Sequence, residues 1–164
     1  MNETSFLEMI REHQKIIHKV CHLYRDSIHD REDLFQEIVY QLWKSAGTFR
    51  GEAKASTWIY RISLNTAIAS FRRKQPALEY TPLIPDSADE LRDADDTQRE
   101  HQLFVLLKQL DESERAIVAL YFEDMSYKQI AEVTGLTENH VGVKLNRIKN
   151  KLKNLQKKAQ YGTE

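Results

Sequence analysis

The C-terminal part of the chain carries side chains that suit hydrogen bonding to bases and phosphates. Residues 137–160 hold seven basic side chains against the single acid Glu138, a net charge of +6. Asn can pair with two atoms of adenine, whereas Arg and Lys suit guanine or phosphate. On a helix, one polar face would carry Asn139, Val143, Asn146 and Asn150, flanked by His140, Lys144, Arg147 and Lys149. The chemistry indicated is non-covalent reading of duplex DNA.

Two short helices and a tight turn would hold this face. Ser126 and Gln129 have the spacing of a capping box, which predicts a helix through Val133. Gly135 can take the left-handed conformation of a turn at no steric cost, and Thr137 can cap a second helix. Ile130, Leu136 and Val141 supply apolar contacts between these helices, and Val141, Leu145, Ile148 and Leu152 form the inward stripe.

This pattern predicts a helix-turn-helix, which places its second helix in the major groove. Ala131 is small where the two helices must cross, and Gly142 would let the second helix lie close to a groove wall. The alternative is an ordinary helical hairpin with a solvated basic face. The coincidence of a small residue, a glycine turn, apolar anchors and a basic face favours the helix-turn-helix.

A second basic block, residues 50–74, has a net charge of +5. Aromatic and cationic side chains surround its glycine loop, a combination that serves base stacking and phosphate contact on single strands. They are Phe49, Arg50, Lys54, Ser56 and Trp58, followed by a polar wedge of Arg61, Asn65 and Arg72. Apolar stripes of Trp58, Ile62 and Ala69 and of Tyr60, Leu64 and Phe71 would flank the wedge. Taken alone, a solvated helix face with core aromatics is the commoner structure.

Both halves of the chain are expected to be helical, because long strand-period alternation is missing and Gly and Pro are scarce. An amphipathic helix is predicted over Phe6–Leu23, a second from Asp30, and a third from Ser56 as N-cap to about Lys74. In the second helix a broad apolar arc would comprise Leu34, Phe35, Ile38, Val39, Leu42 and Trp43. Later, Asp111 and Glu114 have capping-box spacing before the apolar run that ends at Phe122.

The middle of the chain has the composition of a linker. All three prolines, Pro76, Pro82 and Pro85, lie there, and residues 86–100 have a net charge of −5. We therefore expect an all-α protein of two small helical domains, 1–75 and 101–160, joined by a flexible acidic linker over 76–100. Its acidity is typical of a solvated tether.

Several functional classes are disfavoured. The 164 residues include one cysteine, so an intramolecular disulfide framework is excluded. We expect a cytoplasmic protein without membrane insertion, because neither a signal-peptide core nor an apolar run of spanning length occurs. Phosphate-binding glycine loops and nucleophile elbows are absent, so neither an enzyme nor a cofactor is expected. A cluster of His13, His18, Cys21, His22 and His29 could hold zinc, but ordinary surface histidines are favoured.

The chain resembles bacterial RNA polymerase sigma factors of the extracytoplasmic-function (ECF) type. Residues 33–37, DLFQE, followed by Trp43, resemble the family's helix that docks on the largest polymerase subunit. Residues 49–74 are similar to the stretch that melts and reads the minus-ten promoter element. Residues 126–152 are similar to the helix-turn-helix that reads the minus-thirty-five element. The resemblance covers about 30–75 and 100–155.

This resemblance implies a sigma factor that binds core RNA polymerase and promoter DNA, and an anti-sigma factor that restrains it. Core polymerase would be bound by Asp33, Leu34, Gln36 and Glu37. The minus-ten element would be bound by Phe49, Arg50, Lys54, Ser56, Trp58, Arg61, Asn65, Arg72 and Arg73. The minus-thirty-five element would be bound by Thr137, Asn139, His140, Val143, Lys144, Asn146 and Arg147. A stand-alone helix-turn-helix regulator that never contacts polymerase is the alternative.

The chain departs from the family pattern at several positions. Ala69 stands where Asp is frequent, and Ser70 replaces a usual aromatic. Gly142 and Val143 lie where the family commonly has Lys and Ser, and Ile148 replaces a usual alanine. We expect these departures to lie on or near reading surfaces and to alter the promoter sequence that is recognised.

Overall fold

The computed structural model describes residues 1–73 and 94–161, and every regular element in those ranges is helical. Contacts divide the chain into two units, Met1–Ala88 and Asp89–Glu164. The expected all-α fold is confirmed. The three prolines of the predicted linker lie outside the described residues.

The first unit is built from three helices that pack on one another, α1 (Glu3–Tyr24), α2 (Ile28–Ser45) and α3 (Ala55–Arg73). The caps are polar side chains: Asn2 Oδ1 accepts from the Ser5 amide at 2.8 Å, and Ser27 Oγ accepts from the Asp30 amide at 3.1 Å. The core contains Ile17, Ile38 and Ile59, all fully buried. These side chains come from three different helices, so their burial drives the packing of the unit.

Two sequence predictions in this unit need correction. Helix α3 begins at Ala55, not after Ser56, because the Lys54 carbonyl already accepts the Trp58 amide at 3.1 Å. Ser56 therefore lies in the first helical turn. The predicted apolar stripe through Ala69 is also wrong, since Ala69 is exposed and the buried side of α3 runs through Ile59, Leu64 and Ala67.

The second unit contains α4 (Ala94–Leu107), α5 (Glu112–Phe122), α6 (Tyr127–Thr134) and α7 (Glu138–Tyr161). Helix α4 begins inside the segment that the sequence assigned to the linker. The last proline is Pro85, so the chain beyond it holds no residue that forbids a helix. The predicted cap Asp111 is confirmed, because its Oδ1 accepts the Glu114 amide at 2.8 Å.

The helix-turn-helix prediction is confirmed in detail. Ser126 and Gln129 form a reciprocal capping box at the start of α6. Gly135 takes a φ of +78°, and its amide donates to the Ala131 carbonyl at 2.9 Å, which ends α6. Thr137 Oγ1 then accepts the His140 amide at 3.2 Å and caps α7. Ile130 and Val141 are both fully buried, as expected for the contacts that fix the angle between α6 and α7.

Candidate nucleic-acid interface

Helix α7 presents one exposed polar face and one buried apolar face. Val141, Leu145 and Ile148 are buried, and Leu152 is half-buried. The predicted base-reading residues lie on the other side. Exposed are Thr137, Asn139, His140, Val143, Asn146 and Arg147, while Lys144 is half-buried. The structure therefore brings the predicted minus-thirty-five residues to one outward face of the helix.

Four of these residues line an open pocket of about 390 Å³, namely Asn139, Val143, Asn146 and Arg147. Thr137, His140 and Lys144 do not line it. Three further lining residues, Tyr127, Glu138 and Gly142, were not among the predicted site residues. The pocket lining thus combines two amides, a guanidinium and a carboxylate with an aromatic ring and a valine.

Gly142 packs against the ring of Tyr127. A Cβ atom at position 142 would lie 3.3 Å from Tyr127 Cε2, so the ring would have to give by a few tenths of an ångström to admit alanine. A glycine inside a helix costs about 1 kcal/mol relative to alanine. A glycine at position 142, within a predicted helix, was therefore the signal in the sequence that this position has a close neighbour. Only the structure identifies the neighbour as Tyr127, at the start of α6.

The second basic block surrounds an aromatic pair. The rings of Phe49 and Trp58 lie 4.9 Å apart at an angle of 40°, across the turn where Gly51 takes a φ of +73°. Both rings are half-buried, as is Ser56. The cationic and amide side chains nearby are exposed: Arg50, Lys54, Arg61, Asn65, Arg72 and Arg73. Aromatic faces and positive charges therefore occur together at the start of α3, as the sequence predicted.

Two of the departures from the family pattern are not on a reading surface. Ser70 is buried, and its Oγ accepts a hydrogen bond from Nη2 of the buried Arg25 at 2.6 Å. Ile148 is buried in the second unit. Both side chains are buried in the core, so neither forms part of a reading surface itself. Ala69 and Val143 are exposed, and Gly142 lines the pocket on α7.

The predicted polymerase-binding residues on α2 differ in exposure. Asp33 and Gln36 are exposed, and Asp33 lies 3.6 Å from His29 one turn earlier. Glu37 is partly covered, because Arg73 Nη2 donates to its Oε1 at 2.8 Å. Leu34 is only 2% exposed and packs in the core. Leu34 thus holds the helix in place and has no surface to offer a partner.

An apolar groove of about 580 Å³ adjoins the acidic face of α2. It lies between α1 and α2, and Gln36 is one of its lining residues. Leu7, Tyr40 and Trp43 also line it, and all three side chains are exposed. Trp43, on the predicted apolar arc of α2, is 46% exposed, and the centre of its ring lies 4.9 Å from that of Phe6. Exposed apolar side chains that cluster in this way mark interaction surfaces.

The histidines near the N-terminus are not gathered into a metal site. The ring of His18 stacks on Phe35 at 4.7 Å, and His22 is exposed. Cys21 is buried, and burial raises the pKa of its thiol to about 12 against the opposing effect of Arg25. Within 1–73 and 94–161, no three His, Cys, Asp or Glu side chains come together as metal ligands.

Comparison with known proteins agrees with this geometry. Sigma-70 region 2 matches residues 9–76, and Sigma-70 region 4 matches residues 100–152, between them well over half of the chain. The chain belongs to the sigma-70 family. Within that family it is an ECF-type sigma factor, and it directs transcription initiation. Such factors are in general DNA-binding initiation factors without enzymatic activity.

Several proteins similar to this chain are named as sigma factors. The ECF RNA polymerase sigma factor SigM of Mycobacterium tuberculosis is 26% identical over 141 residues, which cover 84% of this chain and 69% of SigM. SigV of Bacillus subtilis is 28% identical, over 84% of this chain and 82% of SigV. The sigma factor RpoE, solved with the anti-sigma factor NepR from Bartonella quintana, has the same fold. It gives a TM-score of 0.71 at 18% identity, over 93% of this chain and 97% of RpoE.

A second solved structure, CnrH in complex with the cytosolic domain of CnrY, gives a TM-score of 0.69 at 20% identity. The match covers 95% of this chain and 90% of CnrH.

In the described parts of this chain, none of the helices has the length and apolar character needed to cross a bilayer.

Proposed function

We propose that this sigma factor acts in the cytoplasm, has no catalytic step of its own, and binds core RNA polymerase through α2. It then contacts promoter DNA with two separate surfaces, one on α3 and one on α7. The observation that supports this most strongly is the outward face of α7, where four of the predicted base-reading residues line one pocket in a complete helix-turn-helix.

The polymerase-binding surface combines acidic and apolar parts. Asp33 and Gln36 supply exposed polar groups, and the adjoining groove supplies Tyr40 and Trp43. Interfaces of this kind have an apolar centre, rich in aromatic residues, inside a polar rim. Leu34 supports the surface from within the core, and Glu37 contributes at its edge beside Arg73.

The minus-ten surface is formed by the turn before α3 and by the exposed side of that helix. A base taken out of the stack needs an aromatic or apolar face to receive it, and Phe49 and Trp58 offer one. Arg50, Lys54 and Arg61 are exposed nearby and suit the phosphates of the same strand. Ser56 and Asn65 supply hydrogen-bonding groups, and Arg72 and Arg73 extend the positive charge to the end of α3.

The minus-thirty-five surface is the outward face of α7. Asn139 and Asn146 suit adenine, and Arg147 suits guanine or a phosphate. Thr137, His140 and Lys144 do not line the pocket, so we assign them to contacts with the DNA backbone. We also propose that an anti-sigma factor restrains this chain, as supported by the structural likeness to RpoE, which was solved with one.

The experiment that tests this assignment separates a sigma factor from a stand-alone regulator. Asp33→Ala removes an exposed carboxylate without touching the core, and Glu32→Ala, one position away on α2, serves as the matched control. Both proteins are mixed with core polymerase and followed by co-migration. We expect Asp33→Ala to weaken binding at least tenfold and Glu32→Ala to leave it unchanged. Binding that is unaffected by Asp33→Ala would remove α2 from the polymerase interface.

A further inference from the structure

We propose that the pocket on α7 is a thymine-reading subsite, in which Tyr127 and Val143 receive the 5-methyl group of one thymine in the upstream element. The inference rests on the proposed DNA-binding role of α7 and adds a residue of α6 to the reading surface. It assigns to Tyr127 and Gly142 a part in sequence specificity.

The first argument is the apolar lining in a polar surround. Tyr127 and Val143 are large apolar side chains, yet each is 43% exposed on the basic, solvent-facing side of the helix-turn-helix. Both line the same pocket, whose polar lining residues are Glu138, Asn139, Asn146 and Arg147. In the major groove, thymine alone presents a methyl group, and apolar side chains are its complement.

The second argument is the glycine at position 142. It leaves room for the Tyr127 ring, which would lie 3.3 Å from any Cβ atom there. A glycine within a helix lowers the stability of that helix. Because the ring of Tyr127 packs directly on Gly142, we take this cost as an indication that the position of the ring is important for binding. Helix α6 thereby contributes one side chain to the surface that α7 presents.

The polar residues that line the pocket determine which base pair it can bind. Asn139 and Asn146 stand on either side of Val143 along α7, where an amide can reach the adenine edge of the same or the adjacent pair. We therefore expect a T·A pair at the pocket, next to a position read by an asparagine.

The test uses DNA that differs by a single methyl group. Full-length protein with core polymerase first selects its upstream element from promoter fragments randomised in that region. Each thymine of the selected element is then replaced by deoxyuracil, which removes the 5-methyl group and preserves base pairing. We expect one replacement to weaken binding about fourfold, the factor for one methyl-sized group withdrawn from an apolar contact.

The protein variants show whether the pocket is responsible. Tyr127→Ala and Val143→Ala should bind thymine and deoxyuracil DNA equally. Gly142→Ala, whose Cβ atom requires the ring to give by a few tenths of an ångström, should reduce the discrimination. Tyr127→Phe keeps the ring and should keep the discrimination. Val105→Ala is the matched control, because Val105 is similarly exposed, at 45%, but lies on α4 outside the pocket.

Three results would overturn the subsite while leaving the proposed function intact. The selected element contains no thymine, or no deoxyuracil replacement changes binding, or the discrimination persists in both Tyr127→Ala and Val143→Ala. Failure to select any element, together with failure to bind core polymerase, would overturn the proposed function itself and the subsite with it.

Discussion

Arg73, at the last turn of α3, donates a hydrogen bond from Nη2 to Oε1 of Glu37 on α2 at 2.8 Å. The two residues are 36 positions apart in the sequence, and the proposed function assigns them to different partners. Glu37 belongs to the polymerase-binding surface and Arg73 to the minus-ten surface. This ion pair therefore joins the edges of the two surfaces.

The Glu37–Arg73 pair should matter more to binding than to folding. Their side chains are 35% and 68% exposed, and exposed pairs contribute at most about 1 kcal/mol. In a double-mutant cycle with Glu37→Ala and Arg73→Ala, we expect a coupling in unfolding free energy below about 1 kcal/mol, measured by denaturant titration. The same variants should weaken polymerase binding and DNA binding respectively. A larger coupling with both binding affinities unchanged would make the pair structural.

The turn of the helix-turn-helix depends on Gly135. Its φ of +78° is a left-handed conformation that costs an L-residue roughly 1–2 kcal/mol. Gly135→Ala should lower the free energy of unfolding by about that amount, measured by urea denaturation. Gly47→Ala is the control, because Gly47 has no positive φ and open space around the Cβ position. Equal losses for the two variants would contradict the role of backbone strain.

We expect Asp111 to make the stability of the second unit dependent on pH. Partial burial raises the pKa of its carboxyl, but hydrogen bonds from Glu114 and the Ser113 amide outweigh burial and hold the pKa below its usual value. A depressed folded pKa gives stability that is present above the unfolded pKa and is lost as pH falls through the folded pKa.

Asp111→Asn tests this linkage, because Asn is as good an N-cap as Asp and does not titrate. We expect the free energy of unfolding of the unaltered protein to exceed that of Asp111→Asn most near neutral pH, and this difference to shrink below about pH 4. Denaturant titration at each pH measures the difference. A difference that stays constant down to about pH 2 would show that the Asp111 carboxylate is not responsible.

Binding to promoter DNA should weaken steeply with salt, because each phosphate contact releases condensed counterions. Removal of one such contact lowers the slope of log affinity against log salt by about 1. We expect this change for Arg61→Ala and for Arg72→Ala in the complex with core polymerase. Lys15→Ala removes one exposed positive charge from α1, outside both basic blocks, and should leave the slope unaltered. A flat salt response would show that the basic blocks are not DNA surfaces.

Local signals predicted the second unit well. Capping residues Asp111, Ser126 and Thr137 act through neighbours three positions away, so sequence spacing alone identifies them. The left-handed turn at Gly135 is equally local. The exposed residues on α7 follow from its inward stripe, because a helix repeats every 3.6 residues.

Contacts between residues that lie far apart in the sequence could not be predicted from residue spacing. The packing of Tyr127 on Gly142, the ion pair of Arg73 with Glu37, and the hydrogen bond from Arg25 to Ser70 all join different helices. A helical wheel places Trp43 on the apolar side of α2 but does not give its exposure of 46%. The start of α4 at Ala94 was obscured by acidic composition, which marks linkers and helical surfaces alike.

The most direct test of the account is reconstituted transcription. Purified protein, core polymerase free of other sigma factors and a fragment library of the source genome are combined, and the transcript starts are sequenced. We expect starts that share two spaced upstream elements, and their loss with Asp33→Ala at unchanged folding. Absence of transcripts, together with failure to co-migrate with core polymerase, would contradict the account and favour a stand-alone DNA-binding regulator.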